Sequence, residues 1–229
     1  MYAQMSATAG LPDDAVSGSL LAAGRSRIIA EAEALRLVGD SLDKSFVAAV
    51  RLIRSSEGKV VTVGVGTSGP VARRMAHLLS TTGTPSLFLH PGDALHGGLG
   101  AITAADVVLA ISKGGGSAEL NEFMRLAKAR GAALLVLTAK AESPLARAAD
   151  VAVVFPQSPD SDPGGIIAMG SNLAVAAWGD ALAIVLMQIS GYSWDQIIDA
   201  HPSGAVGQRE QLPAALSRLP DPAAPASDR

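Results

Sequence analysis

Apolar positions change their spacing once along this 229-residue chain, near Lys59. Before that point Ile28, Ile29, Leu35 and Leu37, then Phe46, Val47, Val50 and Ile53, recur every three to four residues. That period belongs to helices that bury one face. After it come short, continuously apolar runs rich in branched residues: Val60–Val65, Ser86–Leu89, Asp106–Ile111, Ala133–Thr138 and Val151–Phe155. Runs without alternation mark parallel strands covered on both faces. Helix-length segments separate the first four, and a short one around Ser143–Ala148 precedes the fifth. The pattern predicts an α/β fold, a five-stranded parallel sheet with helices on both faces and right-handed crossovers.

Ile166–Ile189 reads as a long helix, apolar except for Asp180. At its full length it would reach about 36 Å, enough to cross a bilayer. Asn172, Asp180, Gln188 and several small residues interrupt it, so a helix buried in the core or at a subunit interface is expected instead. Trp194–Asp199 is a short helix. The domain plan is a flexible N-terminus over 1–15, a single domain over 16–211, and a mobile Pro/Ala-rich tail over 212–229.

Hydrophobic residues make up 48% and charged residues 17%, which excludes a disordered polyelectrolyte. A net charge of −3 without basic blocks, and only four Phe, two Trp and two Tyr, argue against a nucleic-acid partner. With no cysteine there are no disulfides, thiolate–metal sites or cysteine nucleophiles. Met1 to Gly10 lack a basic stretch followed by an apolar core, so no secretory signal is visible and a cytoplasmic protein without a membrane partner is expected.

Candidate chemistry gathers where two strands end. The first runs into Gly64-Val65-Gly66-Thr67-Ser68-Gly69 before a helical segment. Glycines let the backbone approach a ligand, and the free N–H groups of a helix start favour an anion. No acidic residue stands at the end of the second strand, where Leu89-His90-Pro91 occurs, which counts against a nicotinamide cofactor. The third strand runs into Ser112-Lys113-Gly114-Gly115-Gly116-Ser117, with Ser117 as a natural N-cap. In the flavodoxin-like order 2-1-3-4-5 these two loops flank the topological switch point, a site for phosphate held by Gly66, Thr67, Ser68, Ser112, Lys113 and Ser117. The four histidines show no HExxH pair or metal-like clustering, so no metal is expected.

Several of these segments, in order, resemble one family. Gly66-Thr67-Ser68-Gly69, Thr84-Pro85-Ser86 through His90-Pro91, His96-Gly97-Gly98-Leu99-Gly100, Ala110-Ile111-Ser112, Ala148-Ala149-Asp150, Trp178-Gly179-Asp180-Ala181-Leu182 and His201-Pro202-Ser203-Gly204-Ala205 are similar to the sugar isomerase (SIS) domain of arabinose-5-phosphate isomerases. The resemblance covers about residues 30–210. It implies the flavodoxin-like SIS fold, a sugar-phosphate ligand, a homotetramer, and a His201 loop that completes a neighbour's site. Thr67 stands where that family usually carries lysine, Gly116 where it carries glutamate, and Gly98 where it carries aspartate. Lys113 offers one cation from a different position. Many members continue into two nucleotide-sensing CBS repeats, and this sequence ends without them.

The activity implied is interconversion of an aldose phosphate and a ketose phosphate through a cis-enediol, without a cofactor. That chemistry needs a group to open the sugar ring, a base over the reacting carbon and polarisation of the carbonyl. By resemblance His201 is the ring-opening or proton-transfer histidine. His96 lies in a glycine-rich loop suited to closing over a ligand. Asp160 falls where the family places a glutamate, one methylene longer, with Asp162 a close rival and Asp93 a third candidate. Two other readings stay open: a non-catalytic sugar-phosphate-binding protein, and a phosphosugar lyase or etherase.

Overall fold

The structure is a computed structural model that describes residues 14–224; of the stretch expected to be flexible, all but Asp14 and Ala15 lies outside it, as do residues 225–229. Two helices open the chain, α1 (Asp14–Asp40) and α2 (Lys44–Arg54). The Asp43 side chain caps α2 by accepting from Ser45 N at 2.8 Å, and Arg51 and Arg54 complement its C-terminal end. Strands β1 (Val60–Gly64), β2 (Ser86–Phe88), β3 (Val107–Ile111), β4 (Ala133–Thr138) and β5 (Val151–Val154) pair in parallel in the order β2-β1-β3-β4-β5. The connecting helices are α3 (Ser68–Thr81), α4 (Pro91–Leu95), α5 (Ala118–Ala129) and α6 (Pro144–Ala148). A long α7 (Gly170–Ser190) and a short α8 (Trp194–Asp199) follow. The expected strands and their order are all present.

One expectation needs correcting. The long helix begins at Gly170, not at Ile166: two single-turn 3-10 segments, Pro159–Ser161 and Pro163–Gly165, precede a loop, and the Asp162 carboxylate accepts from Met169 N and Ser171 N where the helix starts. Ile166 is left 87% exposed in the loop between them and α7. Among the described residues α7 is the one helix long and apolar enough to cross a membrane. Here its Trp178, Leu182 and Leu186 pack in the core formed with α2, α3 and the sheet.

The sheet separates two apolar layers. Ala72, Met75 and Leu79 of α3, Val50 of α2 and Trp178 of α7 fill one face, with Phe46 and Phe155 edge-on to the Trp178 ring. Leu120, Phe123 and Met124 of α5 and Leu145 of α6 fill the other. Alternate strand residues serve the two layers, Val107 and Leu109 one, Val108 and Ala110 the other. That demand on both sides is why the runs are continuously apolar. Asp180 finds a partner across the helices, pairing with Arg74 of α3 at 2.5 Å. Residues 212–224 lie along the α2–α7–α8 side, where Gln188 Nε2 donates to Ser217 O at 2.9 Å and Arg54 pairs with Asp221 at 2.7 Å.

At the N-terminal edge of the sheet Asp106, 2% exposed, ties the start of β1 to β3. It accepts from Lys59 N (3.0 Å), Lys59 Nζ (2.9 Å), Thr103 N (2.8 Å) and Thr103 Oγ1 (3.0 Å). Burial alone would push its carboxyl up, but these donors outweigh it and hold it below the usual carboxylate value. Asp106→Asn is expected to cost about 2 kcal/mol at neutral pH. Since the folded value is depressed, this contribution is complete above the unfolded value and lost as acid protonates the folded carboxylate. The gap in urea midpoint between parent and variant should therefore narrow below about pH 4. Equal midpoints at pH 7 would contradict the assignment.

Candidate active site

β1 ends against the start of α3. A Cβ on Gly64 would fall 2.7 Å from the Ser68 carbonyl oxygen, so only glycine lets the helix begin this close to the strand. Ser68 N and Gly69 N donate back to Val65 O and Gly66 O, closing the turn. Thr67 is exposed at the N-cap with no side-chain cap bond, and Ser68 is half-buried behind it. Asn172 in the first turn of α7 donates to Thr67 O at 3.4 Å, which brings α7 to the same place.

The β3–α5 loop is built differently, with three of its carbonyls captured by neighbouring groups. Lys113 O accepts from Thr138 Oγ1 (3.2 Å) and Ala139 N (3.1 Å). Asn121 Nδ2 donates to Gly115 O (3.3 Å) and Ser117 O (2.8 Å). Ser112 Oγ, largely buried, accepts from Gly115 N at 3.1 Å, so this hydroxyl shapes the loop from inside. The N–H groups of Gly114, Gly116 and Ser117 meet no acceptor among the described residues. Ser117 is the N-cap of α5, and its hydroxyl makes no cap bond. Free N–H groups beside a helix start are the arrangement that binds an anion.

Gly115 holds the loop's left-handed position, φ +64°, where a Cβ would also fall 2.3 Å from Ser143 Cβ. Gly116, one residue on, has ordinary backbone and open space around it. Gly115→Ala is therefore expected to cost about 2 kcal/mol or more. Gly116→Ala should stay within about 0.5 kcal/mol of the parent. Thermal unfolding of the pair checks this, and equal losses at both positions would refute the loop geometry.

Beside the two loops a cavity of about 520 Å³ opens over the C-terminal ends of β3, β4 and β5. Ile111, Leu137, Phe155 and Val175 supply an apolar floor, and Ser68, Lys113, Asp160, Asp162, Ser171 and Asn172 bring the polar groups. Through Ser68 the cavity reaches the switch point between β1 and β3, the place where open α/β sheets commonly take a ligand. Ser68 and Lys113 share this cavity; Gly66, Thr67, Ser112 and Ser117 stand next to it without lining it.

The two neighbouring aspartates differ sharply. Asp162 is 4% exposed and spoken for: Met169 N (2.8 Å) and Ser171 N (3.0 Å) donate to Oδ1, and Lys113 Nζ lies 2.5 Å from Oδ2. Burial would raise its carboxyl, but Lys113, Ser171 and Met169 outweigh that and hold it far below the usual carboxylate range. Asp160 is exposed on the cavity wall, and α1 pins its backbone, Arg27 donating to its carbonyl oxygen. Of the rivals, Asp160 is the one with a carboxylate open to a ligand.

The expected histidines are not at this cavity. α7 runs about 31 Å from the loops to the opposite edge of the sheet, and His201 follows only after α8. There its Nδ1 lies 2.6 Å from Ile197 O, which fixes Nδ1–H as donor and leaves Nε2 as the free nitrogen. His96 is exposed at the end of α4, on the other side of the sheet, and Asp93 is exposed within that helix. Sequence reading missed Asn121, Thr138, Ser171, Asn172 and Arg27, which orient loops through backbone groups. Asn121, four residues after an N-cap serine, carried a signal of this kind; the others had none.

Comparison with known proteins agrees with this architecture. The SIS domain profile matches residues 52–185, which include all five strands. Arabinose 5-phosphate isomerase GutQ of Salmonella typhi is 37% identical over 194 residues, 85% of this chain and 60% of GutQ. Arabinose 5-phosphate isomerase KdsD of Escherichia coli K12 is 37% identical over 187 residues, 82% of this chain and 57% of KdsD. The chain therefore spans about three-fifths of the length of these relatives. An E. coli CFT073 protein solved in complex with a sugar phosphate superposes with a TM-score of 0.78 at 33% identity, over 81% of this chain and 98% of that one. On the matched profile, the parallel order β2-β1-β3-β4-β5 and these relatives, the chain belongs to the SIS domain family.

Proposed function

We propose that the chain is a cytoplasmic sugar-phosphate isomerase that interconverts an aldose phosphate and a ketose phosphate through a cis-enediol without a cofactor. The observation that carries this reading is the β3–α5 loop, whose unpaired N–H groups at Gly114, Gly116 and Ser117 stand beside a cavity large enough for the sugar. Gly66, Thr67, Ser68, Ser112 and Ser117 form the phosphate end, and binding there anchors and orients the reacting carbons. Asp160 takes the proton from the carbon beside the carbonyl and returns it to the former carbonyl carbon, while the hydroxyl proton passes from the neighbouring oxygen to the carbonyl oxygen; an aldehyde and a hydroxyl become a hydroxymethyl group and a ketone. His201, its Nε2 free, opens the ring at a site in a second copy of the chain, since its own cavity is an α7 length away. His96 closes over the ligand. Exposed apolar side chains on α1 (Leu20, Leu21, Ile28 and Ile29), together with Ile166 and Ile167, supply surface for a homotetramer.

A second reading, non-catalytic sugar-phosphate binding, draws on Thr67 and Gly116, which bring neither an ammonium nor a carboxylate to the phosphate loops. One experiment separates the two: pentose and hexose phosphates are incubated with the protein in heavy water and followed by NMR. Isomer formation with deuterium incorporated beside the carbonyl supports the isomerase. Thermal stabilisation without exchange supports the binding protein, and loss of a substituent supports a lyase or etherase.

A further inference from the structure

Asp162 is the buried charge that the proposed reaction leaves unused. Its oxygens are held by Met169 N and Ser171 N on Oδ1 and by Lys113 Nζ on Oδ2, so accepting a proton would break either the cap on α7 or the ion pair. Such a carboxylate is a poor base and a good anchor. What it anchors is the single cation among the described residues lining the cavity, a Lys113 side chain still 43% exposed. One of the three ammonium donors goes to Asp162, which leaves two for a ligand.

The pair with Asp162 holds this ammonium on the cavity side of the loop. Lys113 and Ser68 line the cavity, whereas Gly114, Gly116 and Ser117, whose N–H groups are free, stand outside its lining. A ligand spanning both sets its phosphate on the loop and its hydroxylated carbons before Lys113. Charge points the same way: Lys113 and Asp162 cancel, Asp160 leaves the lining net negative, and a dianion gains nothing by entering.

We propose that Asp162 is a positioning residue that holds the Lys113 ammonium over the sugar end of the ligand and away from its phosphate. The sugar then meets a cation on one wall and the Asp160 carboxylate on another, the pairing that polarises a carbonyl oxygen while a neighbouring proton is removed. The sequence expectation that Lys113 grips the phosphate gives way to a role in telling a sugar phosphate from phosphate alone. This inference rests on the sugar-phosphate reading above.

The test is a pair of variants measured against inorganic phosphate and the best sugar phosphate. Asp162→Asn keeps an oxygen for Met169 N and Ser171 N but releases the lysine. It is expected to bind inorganic phosphate about fivefold tighter, because the freed Lys113 ammonium can then swing to the phosphate. Selectivity for sugar phosphate over phosphate, and kcat where turnover is present, should fall about tenfold. Lys113→Met should lose the same selectivity while inorganic phosphate affinity stays within about twofold. A purely structural Asp162 would weaken both ligands together and lower Tm. Phosphate affinity unchanged or weaker in Asp162→Asn, or falling as far as selectivity in Lys113→Met, overturns the inference. A parent protein that binds no sugar phosphate overturns the underlying reading instead.

Discussion

Co-expressing two inactive variants, His201→Ala and Asp160→Asn, is expected to restore turnover. Alone, each should lose about 10²- to 10⁴-fold in kcat, the usual contribution of a positioned acid or base. In one chain the two residues lie at opposite ends of α7, so a complete site draws Asp160 from one copy and His201 from another. In a randomly mixed assembly, half the Asp160 positions and half the His201 positions are intact. About a quarter of the shared sites then carry both groups. Mixed oligomers, verified by differently tagged chains, that stay inactive would refute the shared site.

The second large effect concerns the base. Asp160→Asn should abolish deuterium exchange at the carbon beside the carbonyl, again by about 10²- to 10⁴-fold, with inorganic phosphate affinity equal to or tighter than the parent's. Asp160→Glu should retain most of the activity. The carboxylate stands on an exposed wall, and the extra methylene extends it into a cavity of about 520 Å³. Arg27 holds the backbone of Asp160 and Ser161 beside it is 1% exposed, so the wall is fixed and the side chain makes up the reach. Asp160→Asn that keeps full exchange would move the base elsewhere.

The strands were legible because burial on both faces imposes a continuous apolar run, and the five runs coincide with the five strands to within a residue or two. The α7 start was not. Ile166 to Met169 continue the apolar text, yet Asp162 caps Met169 N and Ser171 N from the loop before the helix, and no periodicity signals that bond. The glycine-rich strand-end turns were readable because φ > 0 at Gly115 and close approach at Gly64 demand glycine. Which donors stay free was unreadable, since that depends on Asn121 and Thr138 capturing the loop carbonyls.

Taken by itself, the sequence determined the strands, the two glycine-rich loops and the list of titratable groups, because these follow from local periodicity and backbone preference; the strand order came from the family resemblance. Only the tertiary structure decided which groups meet. It gave Lys113 to Asp162, left Asp160 open to the cavity, and carried His201 to the far end of α7. Encounters between residues some fifty positions apart, such as Lys113 and Asp162, are set by how helices pack on the sheet. No spacing along the chain encodes that packing.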